Sequence, residues 1–408
     1  MIDFENTTTF VNKLFDSKVE LLPGVYDAFE IELAYYEYLS LESSDLLERS
    51  AYIKSIHNKR THHYNFILAS SQLSEDSVDT LNFSSSYASH GLFPYKGKFH
   101  PQMVRALINI AGVQKGDVVL DPMAGSGTTN IEAALLGVKS IAIDISPFCQ
   151  FMIKTKHEAL RIDLDHLQFL QTKAVELFEF FSKDNAVSII DKIEDCRVMK
   201  IYHIALLAYL DSMGYSKRVI RNDHKTLFLK VVNKYFNMLY NLHCNPYYDN
   251  RNIGNLTVLE SNDALDTGLN DSSIDCIITS PPYSFALDYV NNDLDQLNYL
   301  SCDVNSIKGR MIGLKGLTIE EKLRNYFDDV DRLCKEASRV LKQSKFFIVV
   351  IGSNTNQTGG VRLENIFIQS SKKYNLVLKK IILKPIRGMR NTMKDEYILF
   401  FQKEGYNE

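Results

Sequence analysis

The sequence lacks any apolar run close to the about 20 residues that a helix needs to cross a bilayer. Its N-terminus (MIDFENTTTF) also lacks the basic segment followed by an apolar one that marks a secretory signal. Repeats and low-complexity tracts are absent, and the 9 prolines and 19 glycines are ordinary numbers. These absences exclude a disordered or collagen-like chain and predict a globular, cytoplasmic protein.

Cysteine is present without the spacing that metal sites or disulfide frameworks require. The 6 cysteines are scattered over the 408 residues, with no C-x-x-C pair and no close grouping with histidine. We therefore expect reduced thiols and no bound metal.

The formal charge of −4 is an average over unlike segments. Residues 1–50 are strongly acidic, whereas 196–234 and 371–394 each contain eight Lys or Arg, against two acidic residues and none. Basic tracts on a mildly acidic chain indicate a local polyanion-binding surface, although solvated helix and strand faces have the same composition. The residues predicted to contact nucleic acid are Lys217, Arg218, Arg221, Arg387 and Arg390.

Hydrophobic periodicity divides the chain into three kinds of segment. Residues 1–85 have helical spacing and are predicted to form a helical accessory arm. Strands and helices alternate with tight turns in 86–160 and again in 251–408, a pattern typical of a mostly parallel sheet built from βαβ units. Residues 161–250 have helical periodicity and are predicted to form a helical insertion. The expected fold is therefore an α/β domain with a Rossmann-like sheet.

A glycine-rich turn, Asp121-Pro-Met-Ala-Gly125-Ser-Gly127-Thr-Thr129, joins an apolar strand to a helix. Open α/β sheets bind ligands at this place, because the helix N-terminus offers N–H groups and glycine lets a ligand approach the backbone. A nicotinamide or flavin site would have a third glycine where Asn130 stands, and a phosphate-binding P-loop would have a lysine after its last glycine.

The remaining ligand class is S-adenosylmethionine, whose zwitterionic end suits an acidic side chain beside backbone N–H groups. Asp144 closes the next strand, where an acidic residue can bind ribose hydroxyls. The structural alternatives are a turn that merely joins strand to helix and, for Asp144, a helix-capping aspartate.

A second turn, Ser280-Pro281-Pro282-Tyr283, follows the apolar strand IDCIIT. Two prolines fix the backbone and remove two donors, so the segment is a rigid wall and cannot continue a central strand. A hydroxyl and a carbonyl held in this way can accept both N–H bonds of an exocyclic base amine, which is a poor nucleophile until it pyramidalises. Tyr283 could stack on that base after the base is turned out of its helix. The structural alternative is a Pro-Pro turn that only ends a strand.

With both turns in place, the chain resembles the S-adenosylmethionine-dependent amino-methyltransferases of DNA, over about 90–160 and 255–400. The resemblance implies a catalytic role for Ser280, Pro281, Pro282 and Tyr283. It also implies cofactor binding by the glycine turn, by the upstream loop and by the ends of the next two strands: Asp121, Pro122, Ala124, Gly125, Ser126, Gly127, Thr128, Thr129, Lys98, Phe99, His100, Asp144, Ile145 and Asp263. Residues 161–250 are the candidate target-recognition region.

The resemblance implies site-specific methylation of duplex DNA with base flipping, by direct transfer without a covalent enzyme intermediate. Serine before Pro-Pro favours cytosine N4, with adenine N6 as the alternative. Cytosine C5 chemistry is excluded, because none of the 9 prolines precedes a cysteine. Two less favoured hypotheses are an RNA amine methyltransferase and a non-catalytic nucleotide-binding or oxidoreductase domain. A cognate restriction endonuclease is left open as a protein partner.

Overall fold

The computed structural model describes most of the chain beyond residue 85. The described residues are 86–95, 97–183, 186–190, 192–216, 223–244, 248, 250–283, 289–352, 358, 360–385 and 395–405. The predicted accessory arm, 1–85, lies outside them and stays a prediction.

Within the described residues, seven strands form one sheet. They are β1 (Val118–Asp121), β2 (Lys139–Ile143), β3 (Leu256–Leu259), β4 (Ile274–Thr279), β5 (Leu341–Gly352), β6 (Leu376–Pro385) and β7 (Asp395–Lys403). Their order is β3-β2-β1-β4-β5-β7-β6, and β7 alone runs antiparallel to its neighbours. The mostly parallel, Rossmann-like α/β fold expected from the sequence is therefore the fold that is present.

Helices cover both faces of this sheet. In the described part of the chain they are α1 (Pro101–Ile110), α2 (Thr128–Leu135), α3 (Pro147–Ala159), α4 (Leu164–Thr172), α5 (Ala174–Phe181), α6 (Ala186–Ile190), α7 (Cys196–Ser216), α8 (His224–Cys244), α9 (Tyr289–Asn292), α10 (Leu294–Tyr299), α11 (Val304–Arg310), α12 (Ile319–Val340) and α13 (Leu363–Lys372). None of these helices is long and apolar enough to span a membrane.

Burial on both faces explains why the central strands read as continuous apolar runs. All six residues of β4 are buried. Ile278 packs with α1 and α2 on one face, whereas Ile277 packs with α12 and α13 on the other. A parallel strand between two helical layers must be apolar at every position, so strict alternation of apolar and polar residues is not expected here.

The strand order places a ligand crevice between β1 and β4. From β1 the chain moves outward to β2 and β3, and it then returns to the other side of β1 to form β4. Ligands of open α/β sheets bind outside the carboxyl ends of the strands where the order reverses in this way. Both turns singled out in the sequence follow these two strands, the glycine turn after β1 and the Ser-Pro-Pro turn after β4.

The helices α4 to α8 lie within the predicted helical insertion and share a core with the sheet-covering helices. Leu170, Leu207 and Tyr235 belong to the same buried cluster as Phe148 and Met152 of α3. The helices of the insertion therefore pack through apolar side chains against a helix that covers the sheet.

A buried carboxylate in α2 anchors the segment that precedes the sheet. Glu132 Oε1 accepts hydrogen bonds from the Tyr87 hydroxyl at 2.5 Å and from His90 Nε2 at 2.7 Å, and Arg105 Nη1 lies 3.7 Å from Oε2. Burial lowers the pKa of His90 to about 4 despite Glu132, so the ring is neutral near pH 7 and donates through Nε2. These contacts fix the start of the loop that runs over the crevice.

Replacing Glu132 should destabilise the fold, because Tyr87 and His90 would keep buried donors without this acceptor. We expect Glu132→Ala to lower the free energy of unfolding by about 3 kcal/mol. Glu132→Gln, which keeps one acceptor oxygen, should cost less, and Glu176→Ala on the exposed face of α5 should change little. Urea unfolding of the three variants measures this, and an unchanged midpoint for Glu132→Ala would contradict it.

Candidate active site

The glycine turn has a backbone that only glycine adopts readily. Gly125 and Gly127 have φ of +50° and +77°, and the Gly127 N–H donates to the Ala124 carbonyl at 2.7 Å. A Cβ on Gly127 would lie 2.8 Å from Ile153, so a side chain there would meet α3. The turn therefore lies close to α3, and α2 begins directly after it at Thr128.

A buried lysine supports this turn from below. Lys156 of α3 is 1% exposed, and its ammonium donates to the Ser126 carbonyl at 3.1 Å. Burial holds the pKa of Lys156 well below its ordinary value. This contact was not predicted, since nothing in the spacing of the sequence connects Lys156 to the turn.

Two carboxylates stand at the ends of β1 and β2. Asp144 accepts N–H groups from Gly125 at 2.8 Å and from Ser146 at 2.9 Å, which ties the end of β2 to the glycine turn. Asp121 is 1% exposed and accepts the Met123 N–H at 3.2 Å. Burial raises the pKa of both carboxyls, that of Asp121 to about 7. A cationic ligand group beside them would relieve part of this desolvation cost.

The loop upstream of α1 closes over these carboxylates. Lys98 donates to the His90 carbonyl at 3.0 Å, and burial lowers its pKa to about 8. The ring of Tyr95 is stacked on that of Tyr289, with centroids 6.5 Å apart and planes inclined by 11°. The loop is thus held on one side by the anchored segment at His90 and on the other by a helix that follows the Ser-Pro-Pro turn.

The Ser-Pro-Pro turn presents its serine hydroxyl through contacts with β5. Ser280 Oγ lies 3.0 Å from the Val350 carbonyl and 3.1 Å from the Tyr283 hydroxyl. The Pro282 carbonyl accepts the hydroxyl hydrogen of Tyr326 at 3.0 Å. Because a serine hydroxyl has one hydrogen and two lone pairs, donation within the protein leaves Oγ able to accept a ligand N–H.

One cavity of about 250 Å³ brings the two turns together. Its walls include most of the predicted site residues: Lys98, Phe99, Asp121, Pro122, Ala124, Gly125, Ser126, Thr128, Asp144, Ile145, Asp263, Ser280 and Pro282. The Asp263 carboxylate also accepts the N–H groups of Leu265 and Asp266, so it shapes a tight turn as well as lining the cavity.

Five predicted residues are not on the cavity wall: His100, Gly127, Thr129, Pro281 and Tyr283. Gly127, Thr129 and Pro281 are buried. His100 lines a neighbouring cavity instead. Direct contact of these five residues with a ligand stays a prediction.

Tyr283 has contacts outside the cavity. Its hydroxyl donates to Glu396 Oε1 at 3.1 Å, and its ring packs against the core formed with α12 and α13. The predicted stacking of Tyr283 on a base stays a prediction.

Part of the wall comes from residues that no motif signalled. Tyr289, Asp293, Arg310, Lys315 and Arg332 line the cavity from helices and turns beyond the Ser-Pro-Pro turn. Their spacing is irregular, and they converge only because α9 to α12 pack across the carboxyl edge of the sheet. The predicted nucleic-acid contacts Lys217, Arg218, Arg221, Arg387 and Arg390 lie outside the described residues.

The lining suits S-adenosylmethionine. Asp121 and Asp144 line the cavity beside the glycine turn, where carboxylates can meet the ammonium and the hydroxyl groups of such a ligand. Acidic and basic side chains both line the cavity, as a zwitterionic ligand requires. Apolar side chains beside them, such as Ile145, can pack on a flat ring. The glycine turn adds backbone N–H groups at the start of α2 for a ligand carboxylate.

Comparison with known proteins gives matches for both halves of the fold. Residues 92–195 match the RMKL-like methyltransferase domain, and residues 274–408 match the DNA methylase domain. The type II methyltransferase M.BsoBI of Geobacillus stearothermophilus is 24% identical over 302 residues, covering 58% of this chain and 58% of its own. The type II methyltransferase M.MvaI of Kocuria varians is 21% identical over 385 residues, which cover 72% of this chain and 84% of M.MvaI.

A shorter match is found to a tRNA (guanine(10)-N2)-dimethyltransferase of Methanothermobacter thermautotrophicus, 43% identical over 53 residues, covering 13% of this chain and 16% of that protein. The chain thus spans only part of the length of M.BsoBI and a small part of the tRNA enzyme.

Sheet order, cavity and domain matches together define an S-adenosylmethionine-dependent methyltransferase with a Rossmann-like fold. Within that class, the chain is similar to DNA amino-methyltransferases: residues 274–408 match the DNA methylase domain, and two type II methyltransferases are among its relatives. The resemblance inferred from the two turns is confirmed.

Cofactor affinity should depend on pH through Asp121. Burial raises the pKa of Asp121 to about 7, so the carboxyl is mostly ionised at pH 8 and mostly neutral at pH 6. Only the ionised form attracts a cationic ligand group. The affinity for S-adenosylmethionine should therefore fall between pH 8 and pH 6, by up to about tenfold. Asp144, whose pKa burial also raises, would act in the same direction.

Calorimetric titration of wild type, Asp121→Asn and the exposed control Asp165→Asn at the two pH values checks this. Asp121→Asn should bind more weakly at pH 8 and lose most of the pH dependence, whereas Asp165→Asn should behave as wild type. An identical pH dependence in wild type and Asp121→Asn would contradict the assignment.

Proposed function

We propose that the protein is a site-specific DNA methyltransferase that transfers a methyl group from S-adenosylmethionine to the exocyclic N4 of cytosine in duplex DNA. The observation that carries this proposal is the single cavity shared by the glycine turn and Ser280. A donor site and an amine-acceptor site that open on one cavity can bring a methyl group and a nucleophile into contact. Serine before Pro-Pro supports cytosine rather than adenine.

The proposed cofactor contacts follow from the wall. When bound, S-adenosylmethionine supplies an electrophilic methyl group on a sulfonium centre. Backbone N–H groups at the start of α2 would face its carboxylate, and Asp121 its ammonium. Asp144 would accept ribose hydroxyls, because each of its oxygens keeps a lone pair beyond the N–H groups of Gly125 and Ser146. Ile145 and Asp263 would flank the adenine ring.

The target amine would be held by the Ser-Pro-Pro turn. Ser280 Oγ accepts one N–H, while the Pro281 carbonyl, in a backbone fixed by two prolines, is the proposed acceptor for the other. As the nitrogen attacks, positive charge develops on it, and the two oxygens stabilise that charge without having to reorient. The cavity lies within the fold, so the target base must leave the double helix to reach it.

The proposed partner is double-stranded DNA. Its phosphates would be contacted by the basic tracts that contain Lys217 and Arg387, and the helices of 161–250 are the proposed target-recognition region. Two similar proteins are type II methyltransferases by name, which supports a role in restriction-modification beside a cognate endonuclease.

Adenine N6 is the alternative acceptor, since the same geometry would hold its amine. A second candidate function is methylation of an RNA amine, which the short match to a tRNA dimethyltransferase favours. Incubating the enzyme with duplex DNA and, separately, with tRNA under the same conditions and measuring methyl transfer to each distinguishes the two candidates.

Removing the Ser280 hydroxyl should slow methyl transfer with little effect on cofactor binding. We expect Ser280→Ala to reduce the rate by about 100-fold, because one of the two acceptors for the amine is lost. Nucleoside mass spectrometry of DNA treated with wild type should detect N4-methylcytosine. Full activity of Ser280→Ala would contradict the role of the turn, and N6-methyladenine as the product would reassign the base.

Charge reversal in the basic tracts should weaken DNA binding and its dependence on salt. Replacing Lys217, Arg218, Arg387 or Arg390 by Glu should reduce the slope of log affinity against log salt by about one for each phosphate that is no longer neutralised. Lys139→Glu is the control, because Lys139 is exposed at the amino end of β2, opposite the cavity. An unchanged DNA affinity and an unchanged salt slope in all four variants would contradict the proposed contacts between the basic tracts and DNA phosphates.

A further inference from the structure

A chain of hydrogen bonds leads from Ser280 away from the cavity to a carboxylate. Ser280 Oγ lies 3.1 Å from the Tyr283 hydroxyl oxygen and 3.0 Å from the Val350 carbonyl, so its single hydrogen can be donated to either acceptor. The Tyr283 hydroxyl donates to Glu396 Oε1 at 3.1 Å. Ser280 lines the cavity, whereas Tyr283 and Glu396 do not. The chain therefore connects the proposed amine site to a carboxylate that does not line the cavity.

Sheet topology creates this connection. The antiparallel strand β7 lies beside β5, and the residue paired with Gly352 at the end of β5 is Glu396. The parallel strand β4 lies on the other side of β5 and delivers Ser280 to the same edge. Tyr283, three residues after Ser280, spans β5 and reaches Glu396.

The chemistry of amine methylation gives such a chain a use. Once the nitrogen has formed its bond to the methyl carbon it carries a positive charge and an excess proton, and the Ser-Pro-Pro turn has no strong base of its own. Burial and the neighbouring Glu396 raise the pKa of Tyr283, so its hydroxyl keeps its hydrogen at neutral pH and can donate it. When Ser280 donates to Tyr283 rather than to the Val350 carbonyl, both donors of the chain are directed from Ser280 towards Glu396, which is the direction in which the amine proton would leave.

We propose that Ser280, Tyr283 and Glu396 form a proton relay that makes Ser280 a stronger acceptor for the target amine and carries the amine proton to Glu396. The relay rests on the proposed methyltransferase function. Tyr283 and Glu396 are positioning residues in it, since they act through Ser280 and do not touch the base.

The step balances in atoms and electrons. The nitrogen lone pair forms the N–CH₃ bond, and the electron pair of the broken S–CH₃ bond stays on sulfur. The amine proton moves to Ser280 Oγ, the Ser280 proton moves to the Tyr283 oxygen, and the Tyr283 proton moves to the Glu396 carboxylate, which becomes a neutral acid and later releases the proton to water. No oxidant, reductant or further reactant is needed.

Single-turnover methylation of duplex DNA by the full chain tests the relay, because it isolates the chemical step from product release. Glu396→Gln keeps the shape and one acceptor oxygen but removes the base, and Tyr283→Phe removes the hydroxyl bridge. Each variant should lower the rate constant about 10- to 100-fold. This loss is no larger than the loss expected when a general base in direct contact with the substrate is removed. The dissociation constants for S-adenosylmethionine and DNA should stay within about twofold of wild type.

The double variant distinguishes a relay from independent packing effects. Groups that act in series lose their effect together, so Glu396→Gln with Tyr283→Phe should be no slower than the slower single variant. Matched controls are Glu404→Gln, whose partner is Lys379, and Tyr397→Phe, whose hydroxyl contacts Arg362. Both controls should keep the wild-type rate.

The outcomes are separable. Wild-type rates in Glu396→Gln and Tyr283→Phe, or additive losses in the double variant, would overturn the relay while leaving the proposed function standing. Losses that follow weaker binding or a lower unfolding midpoint would also overturn it, since they indicate a structural role. Failure of the wild type to methylate DNA would overturn the proposed function, and the relay with it.

Discussion

The site depends on two parallel strands that end side by side. Because β1 and β4 are neighbours with the same direction, the turns that follow them emerge at one edge of the sheet, although about 150 residues separate them along the chain. A parallel pair requires a crossover, and here the crossover contains the whole helical insertion. The cavity, its carboxylates and its serine hydroxyl all follow from this one adjacency.

Burial changes the pKa values of two of the carboxyl groups around the cavity. Asp121 and Asp144 accept backbone N–H groups, and burial raises the pKa of each carboxyl. A ligand group with positive charge would therefore be favoured beside them. Lys156 under the glycine turn and Glu132 behind the upstream loop are buried polar side chains whose hydrogen bonds hold the neighbouring segments in place. A rigid polar site is suited to stabilising charge that develops during a reaction, since its dipoles need not reorganise.

Local features explain why so much was predictable. Apolar runs such as IDCIIT predicted buried strands, the positive φ values of Gly125 and Gly127 require glycine where the motif has it, and Pro-Pro after β4 had to end the strand. Contacts made by other elements were not predictable. Tyr283 belongs to the Ser-Pro-Pro-Tyr turn, yet its ring packs with α12 and its hydroxyl donates to a carboxylate of β7, contacts that the motif does not indicate.

The sequence by itself determined the class of fold, the two turns and the methyl donor, because each depends on residues adjacent in the chain and on backbone conformations that few residue types allow. Only the tertiary structure decided which motif residues face the cavity, which unsignalled residues complete its wall, and that Glu396 stands behind Ser280. These relations join residues far apart in the chain, and they arise from strand order and helix packing, to which no single stretch of sequence corresponds.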